Sequence, residues 1–477
     1  MPSSSDQISS APQQLWWLFS QSPLLVGPPT EGAMIPKSPI TFHVMTPISY
    51  PMKKGDNVIN MHSYLEEDIG NNVITNKVNP QEAWLPITES RSGNAFYAAF
   101  HTLCSGIGFQ ALMLPLAFSS LGWTWGITCL TLAFIWQLYT TWLLIQLHES
   151  ENGTRLGKLL SLFPIMYLSG GTCVGLIMFG SGAMKIFYEI VCEPTCKEVN
   201  PLTTLEWYMV FTCCAVILAQ LPNLNSIALV SLIGSVTAVG YCTLIWVVSV
   251  SKDRPTNVSY EPSDVGSHAA RGTMPTSSKQ PSRIPMWRGV QFAYVIVGMC
   301  LFPLAIGGHW AYGNLIIPTN NGLLKVLYKY HGHDTSKFLL CFTSLLVVIH
   351  SLSSFQIYAM PVFDNLESRY TSSKQKPCPR WLRSGFRAFF GCLTVFIAFA
   401  LPFLPSLAGL LGGIALPLTL AYPCFMWIQI KKPRGLSIMW YLNWGLGCLG
   451  ILLSILLVTG AIWSIVIIGI PVHFFKP

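Results

Sequence analysis

Two histidines, His101 and His350, sit inside long apolar stretches that hold no Asp, Glu, Lys or Arg. Imidazole is the side chain whose ordinary proton affinity lies nearest physiological pH. An ionisable group at membrane depth marks a proton or substrate path by default. Proton carriage is therefore the chemistry these two residues suggest. The competing role is a neutral histidine bonded to a neighbouring helix. Beside His101 runs Cys104-Ser105-Gly106-Ile107-Gly108, with Pro115 further on. Glycine costs roughly 1 kcal/mol relative to alanine inside a helix, so two glycines one residue apart predict a break. A broken membrane helix presents free backbone N–H groups, and the positive end of its second half, to an anionic group such as a carboxylate. The Ser105 hydroxyl adds a side-chain donor. A glycine-rich packing face is the alternative, because small residues let membrane helices approach closely. Thr172 beside Gly170-Gly171, and Ser351 with Ser354, suit the wall of an ion or substrate cavity. Hydroxyls in membrane helices also bond back to their own backbone. Cys192 and Cys196 share one loop and are candidates for a disulfide, if a three-residue gap permits the geometry. No spacing suits a metal site, a nucleotide loop or a nucleophilic triad, so no catalytic residue, metal or cofactor is expected.

The elements that position these residues are legible from charge. Of 477 residues, 51% are hydrophobic and only 10% are charged, against about 25% charged in a soluble domain. Residues 92–147, 207–251, 289–324, 388–430 and 435–475 carry no charge at all. Such runs predict an all-α polytopic membrane protein. A transmembrane barrel would alternate over about ten residues instead. The net charge of +8 is assigned to basic loops on one membrane face, not to nucleic-acid binding. No cleavable signal peptide is expected, since the first apolar patch, 15–19, is short and lacks a basic flank.

Residues 1–89 are polar and read as a disordered tail. Ten spans follow, near 92–119, 124–147, 159–188, 207–221, 226–250, 289–312, 338–363, 388–404, 406–430 and 439–470. The stretch 252–288 is polar and holds no apolar run. The positive-inside rule puts the basic loops 369–387 and 431–434 in the cytoplasm, and with them the stretch ending at Arg288. Counting forward from a cytoplasmic tail puts Lys252 outside. Either the tail is outside or one crossing is missing between 252 and 288. The sequon Asn257-Val258-Ser259 matters only if that segment is luminal.

Several stretches resemble the plant lysine–histidine-transporter-like branch of the amino acid/auxin permease family. They are Gln81-Glu82-Ala83-Trp84-Leu85-Pro86, Ala99-Phe100-His101-Thr102-Leu103-Cys104-Ser105-Gly106-Ile107-Gly108 and Gln220-Leu221-Pro222-Asn223-Leu224-Asn225. Two more are Cys300-Leu301-Phe302-Pro303-Leu304-Ala305 and Tyr358-Ala359-Met360-Pro361-Val362-Phe363-Asp364. The resemblance covers the chain from Pro80 to about Ile470. It implies a LeuT-type bundle of eleven spans with inverted repeats, a cytoplasmic N-terminus and proton-coupled amino acid uptake. Two departures stand out. Gly153-Thr154-Arg155 runs straight into Leu156-Gly157-Lys158 where the family has an extra amphipathic segment. The polar run from Ser263 to Gly272-Thr273-Met274-Pro275 stands where the family has its sixth span.

The expected organisation is thus a tail at 1–89, a first repeat of five spans at 90–251, a linker at 252–288 replacing the sixth span, and the remaining spans at 289–477. The expected function is secondary active transport of an amino acid driven by a proton gradient, across the plasma membrane. Its partners are the amino acid, protons and the lipid bilayer. The alternative is a non-transporting truncated isoform or a membrane solute sensor of the same family. Substrate-dependent proton currents separate the two.

Overall fold

The computed structural model describes residues 95–147, 155–192, 202–220, 224–255, 258–260, 283–316, 322–374, 378–400, 412–433 and 437–468. The expected tail at 1–89 lies outside them. The helices are α1 (Ala95–Gly106), α2 (Leu114–Leu147), α3 (Arg155–Cys192), α4 (Thr204–Ala219), α5 (Leu224–Ser251) and α6 (Arg283–Tyr312). Then come α7 (Gly322–His331), α8 (Lys337–Lys374), α9 (Arg380–Ala400), α10 (Gly412–Lys431) and α11 (Ile438–Ile468). Nine spans among the described residues are long and apolar enough to cross a membrane, and α4 is apolar but shorter. The protein is an all-α polytopic bundle.

Local chemistry sets several boundaries. Thr203 and Glu206 form a reciprocal cap that starts α4. At Gly122 the backbone takes φ 72°, a value glycine adopts without strain. There the chain turns back from the first span into the second. The turn 417–421 in α10 widens to π geometry at Pro417, which has no N–H for the helical ladder.

Two helix starts lie earlier than their apolar runs suggest. Helix α6 begins at Arg283 rather than near 289, and α9 at Arg380 rather than near 388. Each opens on a turn or two of basic and aromatic residues. On α9 the opening Arg380 and Trp381 are exposed, while Arg387, two turns in, is buried.

The packing fixes which ends share a membrane face. A Cβ on Gly289 would lie 2.4 Å from the Ala95 carbonyl oxygen, so the starts of α1 and α6 are neighbours. The end of α4 is pinned to the start of α9: Arg387 Nη1 donates to Ala219 O at 2.6 Å, and Ser384 Oγ to Gln220 Oε1 at 2.6 Å. This end collects Arg288, Arg369, Lys374, Arg380, Arg383, Lys431 and Lys432. At the opposite end Asn314 N donates to Ser259 O at 3.0 Å, and Ser259 N to Asn314 Oδ1 at 2.8 Å. The Tyr260 hydroxyl donates to Trp310 O at 2.9 Å. Ala95 therefore enters at the basic end, and Ser259 lies at the other. The flanks of 261–282 are separated by the length of α6, 30 residues or about 45 Å.

Two apolar cores meet along α3 and α8. One gathers Leu103, Ile107, Tyr241, Val297, Leu304 and Val347, and the other Val174, Ile177, Phe211, Phe355, Val362 and Phe390. Tyr422 and Met426 of α10 form a small separate cluster. Polar bonds join α10 and α11 to α2: Trp427 Nε1 to Gln146 Oε1 at 3.0 Å, and the Tyr139 hydroxyl to Asn443 Oδ1 at 3.2 Å.

A buried ionic lock closes the basic end. Glu367 of α8 lies 2.9 Å from Arg383 and 3.8 Å from Arg387 of α9. Arg387 is only 3% exposed. Removing one partner of a buried pair strands the other charge and costs about 3–5 kcal/mol. Glu367→Ala is expected to lose stability on that scale, read as thermal unfolding in detergent. A change within about 0.5 kcal/mol would mean that the pair is solvated rather than buried.

Candidate functional site

Helix α1 ends at Gly106, and the backbone at Gly108 is extended, with φ −83° and ψ −176°. The chain resumes as a tight helical turn at Phe109–Met113. The predicted break is therefore present where the two glycines stand. Every helix end leaves carbonyls without intrahelical donors, and here hydroxyls from two other helices supply them. The Tyr358 hydroxyl donates to Ser105 O at 3.0 Å. The Tyr241 hydroxyl lies 3.4 Å from Ile107 O and 3.3 Å from Gly108 O. Ser354 Oγ lies 3.4 Å from Cys104 O and 3.6 Å from its Sγ. Ile107 N still donates to Leu103 O at 3.0 Å, so the N–H groups left for a ligand are those that open the next turn, from Gly108 onward.

His350 stands directly behind this arrangement and is 1% exposed. Its Nδ1 is 2.9 Å from Gly234 O on α5, and its Nε2 is 3.2 Å from Ser354 Oγ. A carbonyl can only accept, so Nδ1 carries the hydrogen. The Tyr241 ring packs 5.4 Å from the imidazole. Cys104, His350 and Ser354 thus form one connected group with the break, built by α1, α5 and α8.

The remaining sequence candidates lie at varied distances from it. Ser105 is buried, its hydroxyl donates to His101 O at 2.8 Å and its carbonyl accepts from Tyr358, so it is held within the bundle. Ile107 and Gly108 are buried and Gly106 is exposed. His101 is buried on α1 one turn before Cys104. Ser351 Oγ donates to Val347 O at 2.8 Å, and Thr172 Oγ1 to Leu168 O at 2.7 Å, so both bond back within their own helices. Gly170 and Gly171, next to Thr172, face open space. Helix α3 meets the break one turn further on, where Gly175 packs on the Phe109 ring. Cys192, at the end of α3 away from the basic face, is disulfide-bonded, and Cys196 lies outside the described residues.

Sequence reasoning did not single out Tyr241, Tyr358 or Gly234. Tyr358 carried a signal, as a polar group opening Tyr358-Ala359-Met360-Pro361 inside an apolar run. It also missed His309, fully buried on α6 between Phe118, Trp123 and Tyr260, with no hydrogen-bond partner for either ring nitrogen among the described residues.

Residues 91–277 and 266–466 match the family described as transmembrane amino acid transporter protein. The chain belongs to this family. It is 50% identical to lysine histidine transporter-like 8 of Arabidopsis thaliana, over 98% of this chain and 96% of that one. It is 42% identical to lysine histidine transporter-like 7 of the same plant, over 83% and 90% of the two chains. A solved nucleobase–cation symporter in a closed, ligand-bound conformation superposes with TM-score 0.47 and 14% identity, over 81% of this chain and 96% of that one. The protein is thus an amino acid transporter of the lysine–histidine-transporter-like branch, not an enzyme. The two family matches meet at 266–277, inside the polar stretch. The alignment with the first relative runs over 508 positions, more than the 477 residues of this chain. That relative therefore carries residues opposite which this chain has none.

Proposed function

We propose that this transporter moves an amino acid together with a proton, and that the substrate carboxylate docks on the backbone N–H groups around Gly106 and Gly108. The observation that carries this reading is the break between α1 and Phe109, where Tyr358 holds the Ser105 carbonyl and the Tyr241 hydroxyl lies against those of Ile107 and Gly108. A carboxylate is favoured where N–H groups and the start of a helical segment converge. The basic end of the bundle, with Ala95, faces the cytoplasm under the positive-inside rule. The membrane is the plasma membrane in this reading, and the driving force is the proton gradient across it.

The stretch 261–282 belongs to the same proposal. Its flanks lie at opposite ends of α6, so it stands in place of a membrane crossing.

The test is uptake of labelled amino acids by cells expressing the chain, with an imposed pH gradient. Uptake is expected to rise as the outside is acidified and to collapse with a protonophore. A flux indifferent to the protonophore would remove the proton from the reading. Absence of flux for neutral, basic and acidic amino acids alike would remove transport by this chain.

A further inference from the structure

We propose that Ser354 is the switch through which a proton on His350 acts on the broken helix. Ser354 Oγ sits between two acceptors, His350 Nε2 at 3.2 Å and Cys104 O at 3.4 Å, and it has one hydrogen to give. The Nδ1 hydrogen of His350 is committed to Gly234 O at 2.9 Å. Any proton gained by the ring must therefore go on Nε2.

In the neutral ring Nε2 has a lone pair, and the serine hydroxyl donates to it. The Cys104 carbonyl then goes without that donor. When Nε2 takes a proton it becomes a donor, and Ser354, at 3.2 Å, accepts from it alongside the Ile107 carbonyl. The serine hydrogen swings to Cys104 O at 3.4 Å, a stronger acceptor than the Cys104 sulfur at 3.6 Å. One proton added at Nε2 thus creates one hydrogen bond from α8 to the last turn of α1, at the edge of the break. Apart from the Nε2–H bond made by the incoming proton, only these hydrogen bonds change, and release of the proton reverses the sequence. By linkage, a conformation that holds α1 against Ser354 binds the proton more tightly, and one that separates them releases it.

The surroundings leave this group without a competing counter-ion. The titratable side chains around it are Cys104 on α1, with His101 one turn before it, Tyr241 and Cys242 on α5, Cys173 on α3 and Tyr358 on α8 itself. The buried charged residues among those described, Asp364, Glu367 and Arg387, lie at least fourteen positions further along α8 or on α9. A positive ring at His350 is therefore stabilised by dipoles, those of Gly234 O, of the Ile107 carbonyl and of a re-aimed Ser354. This makes the serine hydroxyl a positioning group and not a passive neighbour.

The inference rests on the proton-driven reading, yet one arm of its test needs no transport. In the full chain labelled with ¹⁵N-histidine, the His350 resonances are found by their loss in His350→Gln. The neutral ring is expected as the Nδ1–H tautomer, with its Nε2 signal shifted by Ser354→Ala and restored by Ser354→Thr. An Nε2–H tautomer, or a signal indifferent to Ser354, overturns the switch whatever the transport result.

In uptake assays Ser354→Ala is expected to lower transport. The residual flux should change less than about twofold from about pH 5 to about pH 8. Ser354→Thr should bring back the pH slope of the parent. A serine needed only for packing would lower uptake equally at every pH and leave the slope intact, which also overturns the proposal.

Discussion

Inserting an apolar run of about twenty residues between Pro262 and Gly272 is expected to raise amino acid uptake at least about tenfold over the chain as it stands. Ser259 is tied to Asn314 at one end of α6, while Arg283 begins that helix at the other. The 22 residues between Tyr260 and Arg283 include Glu261, Asp264, Arg271 and Lys279. A charged side chain at the bilayer centre costs about 2.5–3.5 kcal/mol on insertion scales. Backbone without regular hydrogen bonding is tolerated at that depth only inside protein or water. An apolar helix carries neither cost. The control is a Gly/Ser insert of equal length, which relieves tether length without supplying a crossing and is expected to leave uptake unchanged. If the apolar insert also leaves it unchanged, the non-transporting reading of this chain takes over.

Much of the fold follows from where charge is absent. The charge-free run 92–147 becomes α1, the short turn and α2, and 435–475 contains α11. The break was readable because Gly106 and Gly108 interrupt an apolar run at mid-depth, where a helix-weakening pair has few other uses. The parity argument was readable because the positive-inside rule needs only loop charges, and the structure sets Ala95 beside Gly289, with the starts of α1 and α6 at one end. Choice of partner was not readable. Tyr241 lies in a run whose other polar residues are serines, threonines and cysteines bonded mainly to their own helices, and nothing local shows that its hydroxyl reaches a carbonyl 133 positions earlier. The lock between Glu367 and Arg387 was hidden for a similar reason, since Arg387 closes the basic loop 369–387 in the sequence and Glu367 stands just before it. Arg387 is buried because α9 starts two turns earlier than its apolar run.

Gly234→Ala is expected to reduce uptake by more than about tenfold, from a single added methyl group. A Cβ there would lie 2.3 Å from Cys104 Sγ and 2.9 Å from Ser353 Cβ, closer than side-chain atoms can pack. Helix α5 must then move away from α1 and α8. Overpacking of this kind costs about 1–3 kcal/mol in a tight core, and its functional effect is larger because of what α5 carries. The Gly234 carbonyl holds His350 Nδ1, and Tyr241, two turns on, holds the carbonyls of Ile107 and Gly108. A shift of α5 disturbs the proton group and the substrate break together. Gly445→Ala is the control, since a Cβ on that glycine meets nothing within 4 Å; it is expected to transport like the parent. The double variant Gly234→Ala with Cys104→Ala removes the nearest clashing atom and should recover part of the lost uptake, as coupled neighbours do. If the two substitutions instead add as independent losses, the contact between α5 and α1 at Cys104 is not what limits transport. The site would then have to be built from α8 and α1 alone.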